Sequence, residues 1–309
     1  MNGLVSDTMM AEAVSAAGLG MEGAIAGPAA LASPSYQALE SRSIITGGSF
    51  VKRIHPEMQQ DFDLATAFEL AKRAGQAGAG PEIWWSDLAS GTIAMETLGD
   101  GWTTARQNDL QIPAVIEAAM QAMKKLHGCA AISHRFDPFA RIDELMESCS
   151  SEGVALPDDV VWLRRVIAMA EPLLDSATLA PCRNDGSSSN LMIGPEGKVL
   201  LIDYDRAGMN DPLYDVGCLL AEMTDHERDM HDGYAAYAGA FDPVGFARSR
   251  LWSHVDDMLH ALWSRRMAHR SERKAVEWIK YGEWRLLRLR MALVHPLFEE
   301  KIRTSGAAS

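Results

Sequence analysis

Asp185 and Asn190 stand five residues apart in a stretch, residues 181–223, that reads PCRNDGSSSNLMIGPEGKVLLIDYDRAGMNDPLYDVGCLLAEM. A turn marked by Gly194 and Gly197 follows, then the apolar run 199–202, which ends in a second carboxylate, Asp203. This is the order of parts that phosphoryl transfer needs. One carboxylate orients a hydroxyl, while an amide and another carboxylate offer hard oxygen ligands to Mg²⁺ held against nucleotide phosphates. The Asp-x4-Asn spacing alone arises often by chance, and an Asp in such a loop is also an ordinary turn or cap residue. What makes the pattern specific is the strand-terminal Asp203 at short range, followed by Asp211-Pro212 and Asp215. Asp211 reads as a helix N-cap, with Pro212 at the first helical position. Asp205 shares a face with Asp203 if the strand persists, and both a metal-assisting and a surface role are open to it.

Elements on both sides must hold these groups. A short Ala/Met-rich helix is expected over residues 7–19, capped by Ser6 or Asp7. A Gly/Ala/Pro/Ser stretch over 23–35 reads as loop or weak strands. Residues 36–40 and 49–54 read as strands joined by Thr46-Gly47-Gly48. The apolar spacing of 61–77 predicts a helix stopped by Gly78 and Gly80-Pro81. Two further strands, 82–86 and 92–97, complete a small antiparallel sheet with one helix. After Leu98-Gly99-Asp100-Gly101 the chain turns mainly helical, with helices expected at 112–127, 138–148, 158–176, 212–224, 230–240, 245–270 and 271–297.

The 309 residues suffice for one large domain or two lobes. A formal net charge of −13 opposes phosphate contacts, so nucleic acid is not an expected partner. No run of about 18 apolar residues occurs, so no membrane partner is expected either. The N-terminus lacks the basic segment and apolar core of a signal peptide. Four widely spaced cysteines without a C-x-x-C pair fit neither a zinc site nor a disulfide framework, and a reducing cytoplasm follows as the expected location. Cys182, beside the Asp185 loop, reads as a small buried hydrophobe.

These residues, with VKRI, GAGPEI, IAMETLGDG, MKKLH and RFDPFARI elsewhere, resemble the choline/ethanolamine kinase and aminoglycoside phosphotransferase family. The similarity runs from about residue 36 to about residue 297. It implies an α+β, two-lobed protein-kinase-like fold: a small antiparallel-sheet N-lobe, residues 1–97, that binds nucleotide, and a larger mainly helical C-lobe, residues 98–309, with the catalytic loop and acceptor-binding helices. The implied function is ATP- and Mg²⁺-dependent transfer of the γ-phosphoryl group to the hydroxyl of a small molecule. A choline-like amino alcohol is the leading acceptor. Aminoglycosides, sugars or vitamins are the alternatives, as is a nucleotide-binding relative without catalysis.

By the same resemblance Asp185 is the catalytic carboxylate, Asn190 and Asp203 are the metal ligands, and Asp215 braces the loop. Lys52 is the strand lysine on the α- and β-phosphates, with Glu69 as its helix partner and Asp63 as runner-up. Met95, Glu96 and Leu98 fall at the hinge where the backbone meets adenine, although a strand Met is commonly core. Three departures stand out. Arg183 replaces the usual His two residues before Asp185 and is counted here among the catalytic residues. The loop interior is Gly186-Ser187-Ser188-Ser189. The phosphate-covering turn, expected in 27–35, lacks a G-x-G-x-x-G pattern. The expected acceptor region holds Trp252, Asp256, Asp257, Trp263, Trp278, Glu283 and Trp284. Aromatic faces with carboxylates suit an ammonium, yet the same spacings fit a helix packed in a core. Arg265, Arg266, Arg285, Arg288 and Arg290 instead favour an acidic substrate.

Overall fold

A computed structural model describes residues 8–28, 38–175, 178–273 and 276–307. Helix α1 (Thr8–Ala16) precedes β1 (Ile25–Ala26), β2 (Ser41–Thr46) and β3 (Ser49–Ile54). The β2–β3 hairpin turns at Gly47 and Gly48, both with positive φ, a conformation glycine adopts without a Cβ clash. The expected turn is therefore present, but the first strand lies at 41–46 rather than 36–40. Ser-Arg-Ser-Ile-Ile-Thr carries the β-branched residues that a pleated, half-buried strand favours; residues 38–40 form no strand, and 36–37 lie outside the described residues. After α2 (Pro56–Gln59) comes α3 (Leu64–Gln76), whose N-cap Asp63 accepts a hydrogen bond from the Thr66 N–H at 2.9 Å. Strands β4 (Ile83–Asp87) and β5 (Thr92–Glu96) complete an antiparallel sheet in the order β1-β2-β3-β5-β4. Strand alternation sends Val51 and Arg53 toward α1, while Lys52 points to the opposite face.

The second lobe is built on helices. It runs β6 (Thr103–Thr104), α4 (Pro113–His127), α5 (Pro138–Ser151), α6 (Val160–Ile167), α7 (Glu171–Leu174), then β7 (Ala180–Cys182), β8 (Leu191–Ile193), β9 (Val199–Leu201) and β10 (Gly208–Asn210). Helices α8 (Pro212–Met223), α9 (His231–Ala238), α10 (Pro243–Arg270), α11 (Trp278–Val294) and α12 (Pro296–Gly306) follow. The helix expected over 158–176 divides into α6 and α7. The one expected over 271–297 begins only at Trp278 and stops before Pro296, which has no N–H to continue it and opens α12 instead. No described helix is long and apolar enough to cross a membrane.

Two short ladders carry the chemistry-bearing loops. β7 pairs with β10, and β8 pairs with β9, each antiparallel, with β6 on the outer edge of β8. α8 crosses beneath them and packs on α10 at Gly217, where an added Cβ would fall 1.8 Å from the Ser249 carbonyl oxygen. Gly217→Ala therefore forces the two helices apart. The expected cost is about 1–3 kcal/mol, read as a lower urea midpoint with an unchanged slope; an unaltered midpoint would show that the crossing tolerates the methyl group.

Candidate active site

The Asp185 loop leaves β7 through a turn that backbone preference alone does not supply. Asn184 has φ 56°, unusual for a residue with a Cβ. Two sets of bonds hold it there. The Asp215 carboxylate, buried in the first turn of α8, accepts from the N–H of Arg183 at 2.9 Å and of Asn184 at 2.8 Å. His127 Nε2 lies 3.1 Å from the same carboxylate. The Asn184 amide donates to the Arg206 carbonyl at 2.9 Å and accepts from Asn210 Nδ2 at 2.8 Å. Asp185 then faces the cleft, where Oδ1 accepts from the Ser187 N–H at 2.6 Å and Oδ2 from Asn190 Nδ2 at 2.9 Å. Gly186 lies so close to α8 that a Cβ would come 2.3 Å from that of Cys218, which accounts for glycine at the start of the loop interior. Cys182 is buried, and burial pushes its thiol well up, away from the thiolate a nucleophile requires.

Arg183 points the other way, into the protein. Its Nη1 donates to the carbonyls of Asn190 at 2.6 Å and Ile202 at 2.8 Å, and its Nη2 to that of Asp185 at 2.7 Å. It is 1% exposed and does not line the cleft. Arg183 is thus a positioning residue rather than a catalytic one, and the correction is physical: a side chain spent on three carbonyls has no way to touch a reacting atom.

Lys52 reaches across from β3 to the large lobe. Its Nζ lies 2.8 Å from Asp203 Oδ1 and 2.8 Å from Asp205 Oδ2. Burial alone would lower its pKa, but the two carboxylates hold it well above the ordinary lysine value. Burial opposes ionisation of Asp203 too, yet Lys52 keeps it below the usual carboxylate range. Asp205 goes the opposite way: burial and the charge of Asp203 outweigh Lys52 and raise it. Asp203 sits at φ 64°, a strained backbone of order 1–3 kcal/mol, as its loop turns out of β9. Beside it Glu40 pairs with Arg206 at 2.6 Å, its own pKa raised because burial outweighs Arg206. Sequence reasoning missed this pair, since Glu40 was read as the end of a strand.

A cleft of about 300 Å³ unites Lys52, Asp185, Asn190 and Asp203. Met95, Glu96, Thr97 and Leu98 line it on the side of β5, and the hydroxyl of Thr97 is buried with no hydrogen-bond partner among the described residues. Glu69 lies elsewhere, on the exposed face of α3 paired with Arg73. Asp63 is occupied as the α3 cap. Neither expected partner of Lys52 meets it, because Asp203 and Asp205 take its ammonium instead. The turn expected in 27–35 falls, from residue 29 on, outside the described residues. Of the tryptophans, Trp252 is core and donates to Asp211 at 2.8 Å, and Trp263 and Trp278 are buried.

The description of a phosphotransferase enzyme family matches residues 38–252, more than half of the chain. The chain belongs to the phosphotransferase enzyme family. It is a phosphotransferase. Its sequence is 23% identical to the protein LicA of Haemophilus influenzae over 228 residues, 70% of this chain and 82% of LicA. A choline/ethanolamine kinase family protein from Mesorhizobium loti shares the fold at a TM-score of 0.80 and 23% identity, over 96% of this chain and 99% of that one. The choline kinase LicA from Streptococcus pneumoniae does so at 0.71 and 14%, over 97% and 98%. In this phosphotransferase, Arg183→Met removes three bonds to buried carbonyls and lets Asp185 shift relative to Asn190. The expected result is a kcat about 10²-fold lower, the cost of a displacement near 1 Å, with the nucleotide KM little changed. An unchanged kcat in a folded variant would refute the positioning role.

Proposed function

We propose that this phosphotransferase is an ATP- and Mg²⁺-dependent small-molecule kinase that transfers the γ-phosphoryl group to an acceptor hydroxyl. One observation carries the reading: a strand lysine of one lobe and the Asp185, Asn190 and Asp203 of the other converge on one cleft. Residues 1–97 are taken as the nucleotide-binding lobe and 98–309 as the lobe of catalysis and acceptor binding. Met95, Glu96 and Leu98 would border the base, and the unpartnered Thr97 hydroxyl beside them is a polar group in want of a partner.

The donor set fits Mg²⁺. Asp203 and Asn190 would hold it through hard oxygens, and the cation already drawn to Asp203 is the Lys52 ammonium. Bound there, the ion would neutralise charge on the transferring phosphoryl group. The chain's own part is positioning and electrostatics. Lys52 pairs with phosphate oxygens. Asp185, oriented by Ser187 and Asn190, accepts the hydroxyl proton as the acceptor oxygen bonds to phosphorus and the bond to the nucleoside diphosphate breaks. The choline-like amino alcohol suggested by the sequence is supported by likeness to a choline kinase; aminoglycosides and sugars are the other alcohols to test. The non-catalytic alternative rested on Arg183 and on the missing Gly-rich pattern in 27–35; the bonds that Arg183 makes to the loop favour an intact catalytic geometry, and 29–35 lie outside the described residues.

Asp185→Asn keeps the shape of the loop and removes the proton acceptor. Turnover should fall by about 10²–10⁴-fold, while ADP still raises the melting temperature as in the wild type. Near-normal turnover would end the assignment of Asp185, and absence of any phosphorylated product from choline, ethanolamine, aminoglycosides, sugars and alcohol-bearing vitamins would end the kinase reading.

A further inference from the structure

Two carboxylates share the ammonium of Lys52. Asp203 and Asp205 each accept from its Nζ at 2.8 Å. Asp203 has a second task as the proposed holder of Mg²⁺, and two cations drawn to one carboxylate repel each other. Asp205 is 6% exposed, and among the described residues the one hydrogen bond to its carboxylate comes from Lys52. It is the partner left to keep Lys52 in place when Asp203 is engaged.

The helix behind the sheet offers no substitute. Glu69 is the one carboxylate within α3, and it is exposed and paired with Arg73. Toward Lys52 and Asp205 the helix turns Ala67, Phe68 and Ala71, across a gap of about 20 Å³, room for about one water. Successive residues of a helix point about 100° apart. Turning Glu69 inward would therefore drive Phe68 or Leu70, both buried, out of the core.

Asp205 is placed by the same groups that shape the catalytic loop. Arg183 donates to the Ile202 carbonyl at 2.8 Å, and the Asn184 amide donates to the Arg206 carbonyl at 2.9 Å. These anchors bracket residues 203–205 and directly precede Asp185 in the chain. Between them the Tyr204 hydroxyl donates to the Leu201 carbonyl at 2.9 Å, and the Ala207 N–H to the Tyr204 carbonyl at 2.8 Å.

We propose that Asp205 is the positioning residue of Lys52, the part that a helix glutamate plays in protein kinases. The proposal rests on the kinase reading above and deepens it. Lys52 belongs to the small lobe but takes its place from the segment that is tied to Asp185, so the phosphate end of the site is assembled without α3. In protein kinases the position of that helix controls whether the lysine is paired. Here a shift of α3 carries no partner of Lys52 with it.

The test is a double-mutant cycle on the full chain, with Asp205→Ala and Lys52→Met made singly and together. Turnover is measured with ATP, Mg²⁺ and whichever of choline, ethanolamine, an aminoglycoside, a sugar or a vitamin alcohol the wild type phosphorylates fastest. Asp205→Ala should lower kcat by about 10²-fold, the cost of a misplaced group, with the KM for ATP little changed. The double variant should fall no further than Lys52→Met alone, because Asp205 then has nothing to hold. A loss equal to the product of the two single losses overturns the proposal. So does a requirement for about tenfold more Mg²⁺ in Asp205→Ala, the mark of a residue that acts on the metal. Asp205→Asn keeps an oxygen acceptor at the same place and should recover most of the loss; a variant no better than Asp205→Ala overturns the positioning role. Glu69→Ala should retain the wild-type kcat, and a loss as large as that of Asp205→Ala would return the partner to α3. The melting temperature gives a readout without turnover. The two single decreases together should exceed that of the double variant, as for groups sharing one bond, and decreases that simply add overturn the pairing. Where Asp205→Ala does not fold, Asp205→Asn takes its place in the melting cycle. No product from the wild type with any acceptor overturns the kinase reading, and the melting temperatures then still decide the pairing.

Discussion

The geometry of the catalytic centre depends on one buried guanidinium. Arg183 draws together the carbonyls of Asp185, Asn190 and Ile202, which belong to a loop, to the turn that follows it and to the end of a strand. These three carbonyls belong to, or immediately precede, the three residues proposed to carry the chemistry, Asp185, Asn190 and Asp203. A planar fork of fixed donors sets their spacing in a way the single flexible ammonium of lysine would not. Burying the charge is costly: three of its bonds go to carbonyls, while its Nε is buried with no hydrogen-bond partner among the described residues. Asp215 acts on the backbone instead, accepting from the N–H groups of Arg183 and Asn184 and so fixing the left-handed turn at Asn184. The strained loop persists because its surroundings over-determine it.

A second network crosses between the lobes. Lys52, Asp203 and Asp205 form one cluster, and Glu40 with Arg206 forms the next, the latter stacked 4.8 Å over Trp263. Such buried pairs give little net stability, because desolvation offsets their attraction. They do fix which charges face the cleft. Asp203 is held ionised, while Asp205 and Glu40 are driven toward their protonated forms.

Much of this was legible in the sequence. The two-lobed fold showed because strand alternation, Gly-Gly turns and amphipathic helices are local signals. The loop from Asp185 to Asp203 showed because its residue types are rare in combination. Asp211 as a cap followed from Asp-Pro at a helix start, and the structure has it accepting from the Leu213 N–H at 2.9 Å; Asp215 as a brace followed only from the family resemblance. What failed was pairing at a distance. Glu69 has the right helix but faces solvent with Arg73, and nothing local distinguishes it from a residue facing the sheet. Arg183 could be noticed as a departure, but its inward direction depends on carbonyls up to 19 residues away. Glu40 carried no signal, since the strand assigned to its neighbours begins one residue later.

The acceptor side is hidden for a different reason. Helix α10 has 28 residues and is buried on nearly every side, so apolar periodicity, the usual guide to a helix's inner face, is lost. Charged residues that would read as a solvated stripe, Arg250, His254, Asp256 and Asp257, are instead interior. Tryptophans that would read as an open cage are packed or roofed by arginines. The two halves of the enzyme thus obey different constraints. The loop from Asp185 to Asp203 is held by backbone bonds around a few functional groups close in sequence, which a short motif can announce. The charged side chains of α10 and α11 have no such motif, because which of them meet depends on how the two helices pack, as Arg285 meets Asp256 and Asp257, and that is a property of the folded chain.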